Sequence, residues 1–362
     1  MSKGKIVVAM SGGVDSSVAA ALLHAEGYDV VGVTMRLWTL TDESLPGPFR
    51  SCCSVEDVDD ARQVCQTLGV PHYSLNFERE FQAYVVDYFC SEYARGRTPN
   101  PCLACNQDLK FHFLLERANA LGIERLATGH YARTLYRDGA HRLLKAADAR
   151  KDQSYVLFML GQEALSRVEF PLGGLTKAET RAIAAELGLP NAEKADSQDI
   201  CFIPSGDYRA FVEERVRCEP GEMVHVDGRV LGEHQGLTNY TVGQRHGLGI
   251  AAGERVYVVA LDVGENRLIV GPEQALYAVA LDAELVSFVS GEVPSVETEV
   301  SVKVRSHAPE VPALMFPYEG RRARVRFAEP QRAITPGQAV VFYDGEEVLG
   351  GGLIASTERL LG

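Results

Sequence analysis

Residues 11–16 read Ser-Gly-Gly-Val-Asp-Ser and stand between an apolar run, Ile6–Met10, and a helix-like segment, Ser16–Glu26. The two glycines allow a tight turn, the serines supply hydroxyl donors, and the helix adds the positive partial charge of its N-terminus. These features predict a phosphate-binding loop. The stretch lacks the Gly-Lys-Ser/Thr ending of a Walker A loop and the spacing of the dinucleotide fingerprint. The alternative without a ligand is a glycine-rich turn capped by Ser or Asp.

Strand-like and helix-like segments alternate from this loop to about residue 190. The predicted strands are Val30–Met35, Pro71–Asn76 and Arg125–Thr128, and the predicted helices are Val55–Leu68, Glu78–Arg95, Leu109–Leu121 and Lys177–Leu187. This alternation predicts an α/β domain with a parallel sheet, which binds ligands at the carboxyl ends of its strands. Both the loop and the segment Gly129-His130-Tyr131 would lie at that end.

The sequence changes character after Ile203-Pro204. From Gly221 onward, short strand-like runs alternate with turns rich in Gly, Pro, Asp and Asn, which predicts small antiparallel β-domains. We therefore divide the chain into a catalytic domain (1–205), a central β-rich domain (206–280) and a C-terminal domain (281–362).

Composition narrows the class of protein. The chain has 362 residues, no apolar run long enough to cross a membrane and no signal peptide, so we expect a cytoplasmic location. Eight cysteines without an export signal fit a reducing compartment. The net charge of −13 argues against broad non-specific binding of nucleic acid. Arg322, Arg324 and Arg326 would share one face of a strand, as an RNA contact or as a solvated face.

Two cysteine segments offer thiol chemistry. Cys102 and Cys105 form a Cys-x-x-Cys pair before a helix-like segment, and a helix N-terminus lowers the pKa of a thiol. Inert cysteines or half of a zinc site are alternatives, but no second pair completes four ligands. Cys201 stands where the α/β domain would end. Cys65 and Cys90 have the spacing of core residues, and Cys218 follows no functional pattern.

Together, these segments resemble the bacterial-type tRNA-specific 2-thiouridylases of the PP-loop ATP pyrophosphatase superfamily. The resemblance runs through nearly the whole chain. It rests on residues 11–16, Cys52-Cys53-Ser54, Thr98–Asn106, Ala127–Tyr131, Lys151–Tyr155, Cys201-Phe202-Ile203, Tyr240–Arg245 and Thr335–Gln338.

The resemblance implies a PP-loop domain followed by two β-rich domains, of which the last is a β-barrel that contacts tRNA. It also implies ATP-dependent adenylation of the 2-oxygen of the wobble uridine at position 34, with Mg²⁺ on the pyrophosphate and Asp15 as an indirect partner of the metal. The implied ATP contacts are Ala9, Met10, Ser11, Gly12, Gly13, Val14, Asp15, Ser16, Met35 and Gly129.

The same resemblance implies further contacts and partners. The target base would meet Asn100, Pro101 and Cys102. The implied tRNA contacts are His130, Lys151, Asp152, Gln153, Arg305, Ser306 and Gln338. The expected substrates are tRNAs for Lys, Glu and Gln, and the expected sulfur donor is a cysteine desulfurase or a sulfur-relay protein. The segment that begins at Arg305 is less basic than in many members, which weakens the transfer of the contact beyond that residue.

The resemblance also assigns Cys201 as the persulfide carrier and Cys105 as the thiol that resolves it through a disulfide. Members differ in having Asp or Cys at the position of Cys102. Since it is Cys here, Cys102, Cys105 and Cys201 could instead hold an iron–sulfur cluster. We place the persulfide route first, because the members with Asp have two of these cysteines.

Three rival functions remain. Other PP-loop adenylating enzymes are the nearest, and Cys201 with the β-rich C-terminal part argues against them. A redox or metal module built on Cys-x-x-Cys leaves the loop at residues 11–16 unexplained. A tRNA-binding protein without catalysis predicts that Cys105 and Cys201 are dispensable.

Overall fold

A computed structural model describes residues 2–37, 55–195, 200–203, 206–250 and 253–360. The N-terminal part contains β1 (Lys5–Ala9), α1 (Val14–Ala25), β2 (Asp29–Arg36), α2 (Val55–Leu68), β3 (His72–Asn76), α3 (Glu78–Phe81), α4 (Asp87–Ala94), α5 (Pro101–Ala104), α6 (Leu115–Ala120), β4 (Arg125–Ala127), β5 (Arg133–Arg137), β6 (Ala140–Leu144), α7 (Gln162–Leu165), β7 (Val168–Glu169) and α8 (Lys177–Glu186). Two π-helical stretches, Gln82–Val86 and Cys105–Leu114, join α3 to α4 and α5 to α6.

The first sheet is parallel, as predicted, with the strand order β3-β2-β1-β4-β7. Its central strand β1 is apolar and buried on both sides. Val7 packs into one hydrophobic cluster, and Ile6 and Val8 pack into the other. Because side chains alternate along a strand, this pattern places a helical layer on each face of the sheet. The sheet therefore presents the carboxyl end of β1 and the loop that follows it at one edge.

The remaining elements are α9 (Tyr208–Glu213), β8 (Gly221–His225), β9 (Val230–His234), β10 (Tyr257–Asp262), β11 (Arg267–Gly271), β12 (Tyr277–Phe288), β13 (Thr298–Lys303), β14 (Val311–Tyr318), β15 (Arg322–Arg332), β16 (Ala339–Asp344) and β17 (Glu347–Arg359). Strands β8 to β11 form a four-stranded sheet in the order β10-β11-β8-β9. This sheet is mixed, because β11 runs parallel to β8, so the prediction of a purely antiparallel domain was wrong. The long connection between β9 and β10 allows the parallel pairing.

The C-terminal strands close into a six-stranded barrel. Its order is β12-β15-β14-β13-β16-β17, and antiparallel pairing of β12 with β17 closes it, as expected for a β-barrel. Closure pairs β12 with most of β17 and encloses one apolar core. The strand β12 begins at Tyr277, close to the predicted domain boundary near residue 280, and that boundary stays a prediction.

A hairpin from the N-terminal part extends the barrel sheet, which the sequence did not predict. Strands β5 and β6 pair with each other, and β6 pairs antiparallel with β17 through Leu143 and Val348. The pairing joins residues about two hundred positions apart, which local sequence patterns do not indicate. As a result, the parallel-sheet domain and the barrel share hydrogen bonds. No helix among the described residues has the length and apolar character needed to cross a membrane.

Candidate nucleotide and thiol site

The predicted phosphate loop connects β1 to α1 and has the geometry of an anion cradle. Gly12 has a φ of +71°, and a Cβ atom there would lie 2.4 Å from the Asp57 carbonyl oxygen. Only glycine tolerates both conditions. Gly13 occupies the N-cap position of α1, and no side-chain hydrogen bond caps the helix there. The first backbone N–H groups of α1 therefore lack a side-chain cap at the position where helices bind phosphate.

Serine hydroxyls close the loop on itself. The Ser11 N–H donates to Ser16 Oγ at 3.2 Å. The hydroxyls of Ser16 and Ser17 both donate to the Gly13 carbonyl, at 3.1 and 2.9 Å. Gly129, at the end of β4, packs against the same turn, since a Cβ atom there would lie 2.6 Å from the Ser16 backbone nitrogen. The structure thus brings together two segments predicted to contact ATP. Met35, a third predicted contact, is buried in β2.

Asp15 is held by two residues that the sequence analysis missed. Lys177 Nζ lies 2.7 and 2.8 Å from the two carboxylate oxygens of Asp15, and the Tyr131 hydroxyl donates to the same carboxylate at 2.8 Å. Lys177 is the first residue of α8, where the helix dipole disfavours a cation. That unfavourable position was a usable signal, because residues that break local rules often serve function.

A second missed pair lies behind the loop. Asn191 Nδ2 and Lys194 Nζ donate to the Gly12 carbonyl at 2.9 and 3.2 Å. Lys194 also contacts the carboxylates of Asp57 and Asp60, at 2.6 and 2.5 Å. Both residues follow α8 in a segment without periodicity, so no local pattern marked them.

His130 follows Gly129 and is buried beside Phe111 and Phe170. Its Nδ1 lies 2.7 Å from Thr128 Oγ1. Burial, assisted by the charge of Lys110, lowers the pKa of His130 well below its usual value. The ring is therefore neutral near pH 7, and its contact with tRNA stays a prediction.

The Cys-x-x-Cys segment opens a helix, as predicted. Asn100 caps α5 by accepting the Cys102 N–H at 3.1 Å, and Pro101 takes the first helical position. Cys102 is exposed and Cys105 is half-buried. A π-helical stretch begins at Cys105. Such stretches are rare in proteins, and those that occur often lie at functional sites.

Cys201 is also half-buried, and it packs on the same hydrophobic cluster as Cys105. Its neighbour Phe202 anchors it, because the ring makes edge contacts with Phe81 and Phe89 at centroid distances of 5.5 and 5.3 Å. Among the described residues, no three His, Cys, Asp or Glu side chains converge as a metal site. Both routes predicted for Cys102, Cys105 and Cys201, the persulfide and the iron–sulfur cluster, stay predictions.

The segment before Cys102 contacts the C-terminal domain and the central domain. The Thr98 N–H donates to the Pro336 carbonyl at 2.9 Å, and the Thr98 carbonyl accepts Gln338 Nε2 at 2.8 Å. Thr98 Oγ1 lies 3.4 Å from Thr241 Oγ1 of the central domain. Gln338, a predicted tRNA contact, therefore holds residues 98–105, the thiol segment, in the free chain.

The other predicted tRNA contacts differ in their surroundings. The Asp152 side chain is 4% exposed and accepts the N–H groups of Ala146 and Ser154, and its contact with tRNA stays a prediction. Gln153 accepts the Tyr131 N–H at 2.9 Å. Arg305 donates to the Ala333 carbonyl and to Thr335 Oγ1, and burial lowers its pKa. Lys151 and Ser306 are half-buried in turns.

The remaining sequence assignments have mixed outcomes. Cys65 and Cys90 are buried, as predicted for core residues. Arg322, Arg324 and Arg326 alternate on β15 as expected, but Arg324 forms ion pairs with Asp282 and Glu358. Cys52, Cys53 and Ser54 and residues 196–199 lie outside the described residues.

A parallel sheet whose first strand leads through a glycine–serine loop into a helix defines an α/β nucleotide-binding domain, here joined to two β-domains. Family models match all three parts: "tRNA methyl transferase HUP domain" at residues 4–205, "tRNA methyl transferase PRC-barrel domain" at 209–272, and "Aminomethyltransferase beta-barrel domain" at 279–354.

Full-length relatives give the family a more specific name. The chain is 53% identical to a tRNA-specific 2-thiouridylase MnmA of Roseiflexus castenholzii, over 97% of this chain and 99% of the relative. It is 49% identical to the protein of that name from Pelotomaculum thermopropionicum, over 99% of each chain. The chain belongs to the tRNA-specific 2-thiouridylase family.

Solved structures give weaker matches. A 4-thiouridine synthetase in complex with RNA and ATP matches with a TM-score of 0.37 and 19% identity, over 59% of this chain and 50% of that one. The NMN synthetase of Francisella tularensis matches with a TM-score of 0.33 and 16% identity, over 54% of this chain and 67% of that one.

Proposed function

We propose that this chain converts the wobble uridine of tRNA to 2-thiouridine in two steps, adenylation by ATP followed by sulfur transfer from a cysteine persulfide. The phosphate loop serves the first step and the two half-buried cysteines serve the second. The observation that carries the proposal is that a phosphate loop and a pair of half-buried cysteines on one core cluster occur in a single domain.

In the first step, the loop grips the β- and γ-phosphates and leaves the α-phosphate open. The 2-oxygen of uridine attacks the α-phosphate, and pyrophosphate leaves. The poor oxygen leaving group becomes AMP, a good one. Mg²⁺ would neutralise the pyrophosphate, and Asp15 fits as its partner because carboxylate oxygens are preferred magnesium ligands. Lys177 neutralises Asp15 in the free chain and would then turn to the phosphates.

In the second step, the outer sulfur of the Cys201 persulfide attacks carbon 2 of the base, and AMP leaves. The Cys105 thiolate then attacks Cys201 Sγ, which breaks the sulfur–sulfur bond to the base and releases 2-thiouridine. The products are a Cys105–Cys201 disulfide and the modified tRNA. A dithiol reductant returns both cysteines to thiols, and a donor such as a cysteine desulfurase or a sulfur-relay protein reloads Cys201.

The proposal extends to the surroundings of the reaction. The tRNAs for Lys, Glu and Gln are the proposed substrates, and the cytoplasm is the proposed location. Asn100, Pro101 and Cys102 are proposed to hold the base, since they begin the helix that carries Cys105. The persulfide route stands ahead of an iron–sulfur cluster, because it needs two cysteines and, within the described part of the chain, no group of three His, Cys, Asp or Glu side chains forms a metal site.

The test is ATP-dependent thiolation of tRNA by the purified chain, prepared with and without oxygen and supplied either with a cysteine desulfurase and cysteine, which deliver sulfur at the persulfide level, or with sulfide. Iron and labile sulfide are measured in the same samples. We expect iron-free protein to be active and to require Cys105 and Cys201 but not Cys102. Activity confined to iron-loaded protein that needs all three cysteines would establish the cluster route instead, and no thiolation under either condition would refute the proposed function.

A further inference from the structure

Two carbonyl groups of the phosphate loop, those of Gly12 and Gly13, have hydrogen-bond partners. The Gly12 carbonyl accepts Asn191 Nδ2 and Lys194 Nζ, and the Gly13 carbonyl accepts the hydroxyls of Ser16 and Ser17. A phosphate is attracted by N–H groups and repelled by carbonyl oxygens. A loop that binds phosphate must therefore keep these carbonyls turned away. For Gly12, that task falls to two side chains from outside the loop.

Asn191 is placed so that only one orientation of its amide works. The side chain is 5% exposed, and Nδ2 lies 2.9 Å from both the Gly12 carbonyl and Ser17 Oγ. A flipped amide would point Oδ1 at a carbonyl oxygen. In the observed orientation, Oδ1 is buried without a hydrogen-bond partner among the described residues. The chain thus tolerates an unpaired buried acceptor here in order to donate to Gly12.

Lys194 acts on the loop through geometry and contributes little net charge to it. Its Nζ lies within 2.6 Å of carboxylate oxygens of Asp57 and Asp60, which balance the charge of the ammonium group. Burial alone lowers the pKa of Lys194, but the hydrogen bonds and charges of Asp57 and Asp60 outweigh it, so the pKa is raised. Lys194 is thus a permanent donor that ties the Gly12 carbonyl to α2.

The segment that carries both residues is fixed to α8. Arg181 donates to the carbonyls of Ala192 and Lys194, at 3.2 and 3.1 Å. Lys194 stands seven positions before Cys201, and a chain of that length spans at most about 25 Å. The same short stretch therefore shapes the phosphate loop and leads to the thiol of the second step.

We propose that Asn191 and Lys194 are positioning residues that set the affinity of the loop for the pyrophosphate part of ATP. They do so by holding the Gly12 carbonyl away from the phosphates, which keeps the backbone N–H groups directed at them. This inference rests on the proposed ATP site and adds to it two residues that act through the Gly12 carbonyl.

The test compares the dissociation constants of ATP and AMP, both with Mg²⁺, for the full chain and for Asn191→Leu and Lys194→Met. We expect ATP to bind about tenfold more weakly to each variant, which equals about 1.4 kcal/mol. AMP lacks the β- and γ-phosphates, so its binding should not change. Equal weakening of ATP and AMP, or no weakening of ATP, would overturn the inference.

Lys145→Met provides a matched control. Lys145 Nζ also contacts one carboxylate, Glu310 at 2.5 Å, and one glycine carbonyl, Gly345 at 2.6 Å, but it lies at the barrel. This variant should bind ATP like the unaltered chain. Should Asn191→Leu fail to fold by thermal melting, Asn191→Ala removes the same donor with less volume. Failure of the unaltered chain to bind ATP would instead refute the proposed function, so the two failures are distinguishable.

Discussion

The phosphate loop and the thiol segment are positioned by different parts of the molecule. The Gly12 carbonyl is held by Asn191 and Lys194 within the parallel-sheet domain. The Thr98 backbone, two residues before the cap of the cysteine helix, is held by Pro336 and Gln338 of the C-terminal domain. The loop proposed to bind ATP is thus held by residues of the parallel-sheet part, whereas the segment before Cys102 and Cys105 is also held by the barrel. Changes at the loop should therefore affect nucleotide chemistry, and changes at the barrel contact should affect sulfur transfer.

The largest effect is expected at Gly12. An alanine at Gly12 would meet the Asp57 carbonyl at 2.4 Å and would sit at a φ of +71°. We predict that Gly12→Ala lowers the free energy of unfolding by about 2 kcal/mol, because of left-handed strain and the clash. Thiolation should fall more than about a hundredfold, since a displaced loop misplaces the α-phosphate. Chemical denaturation and the thiolation assay measure the two effects.

Gly13→Ala is the control for the stability effect. Gly13 has a φ of −87°, and the nearest atom to an added Cβ is Ser11 Oγ at 3.4 Å, an ordinary contact. Its free energy of unfolding should stay close to that of the unaltered chain. Equal stability of the Gly12 and Gly13 variants would contradict the structure of the loop.

A smaller effect is expected at Gln338, and it separates two roles for this residue. Gln338→Ala removes one hydrogen bond to Thr98, worth about 1 kcal/mol, or about fivefold. If Gln338 acts by holding the thiol segment, the thiolation rate at saturating tRNA falls by that factor, while ATP binding stays unchanged. If it acts only as a tRNA contact, the tRNA affinity falls and the saturated rate is kept.

Gln331→Ala is the matched control for this experiment. Gln331 lies on β15 of the same barrel, and its amide donates to the nearby Glu329 carbonyl. Neither the saturated rate nor the binding of ATP should change. A fall in rate equal to that of Gln338→Ala would assign the effect to the barrel surface in general.

The smallest effect is expected from His130, which lies on the loop side of the comparison. Burial lowers the pKa of His130 in the folded chain. In the unfolded chain, the pKa of a histidine is near 6.5. At pH values between these two pKa values, the unfolded chain therefore binds a proton that the folded chain does not bind. Stability should therefore fall as pH drops below about 6.5, by at most about 1.4 kcal/mol per pH unit.

His130→Gln should reduce this slope without removing it. His72 and His234 also have lowered pKa values, caused mainly by burial, and they contribute with the same sign in both proteins. Denaturant unfolding between pH 5 and pH 7 measures the slope. An unchanged slope in His130→Gln, or a normal titration of His130 in the folded chain, would contradict its burial.

Sequence patterns anticipated what is local and missed what is not. The strand, loop and helix around Gly12 follow from contiguous residues, and so does the helix that begins at the Cys-x-x-Cys pair. Lys177 and Lys194 reach the loop from far along the chain, and β6 joins the barrel through pairing with β17. Such contacts depend on how the chain closes, which periodicity does not encode. The buried state of Asp152 has the same origin.

The central claim is that Cys201 carries the sulfur and Cys105 releases it, driven by ATP at the loop. The most direct measurement loads the purified chain with isotopically labelled sulfur as a persulfide, removes the donor, and adds ATP and tRNA for a single turnover. We predict labelled 2-thiouridine in the tRNA, loss of the label from the Cys201 peptide and a new Cys105–Cys201 disulfide by mass spectrometry. Labelled thiolation of equal yield by Cys201→Ser would contradict the account.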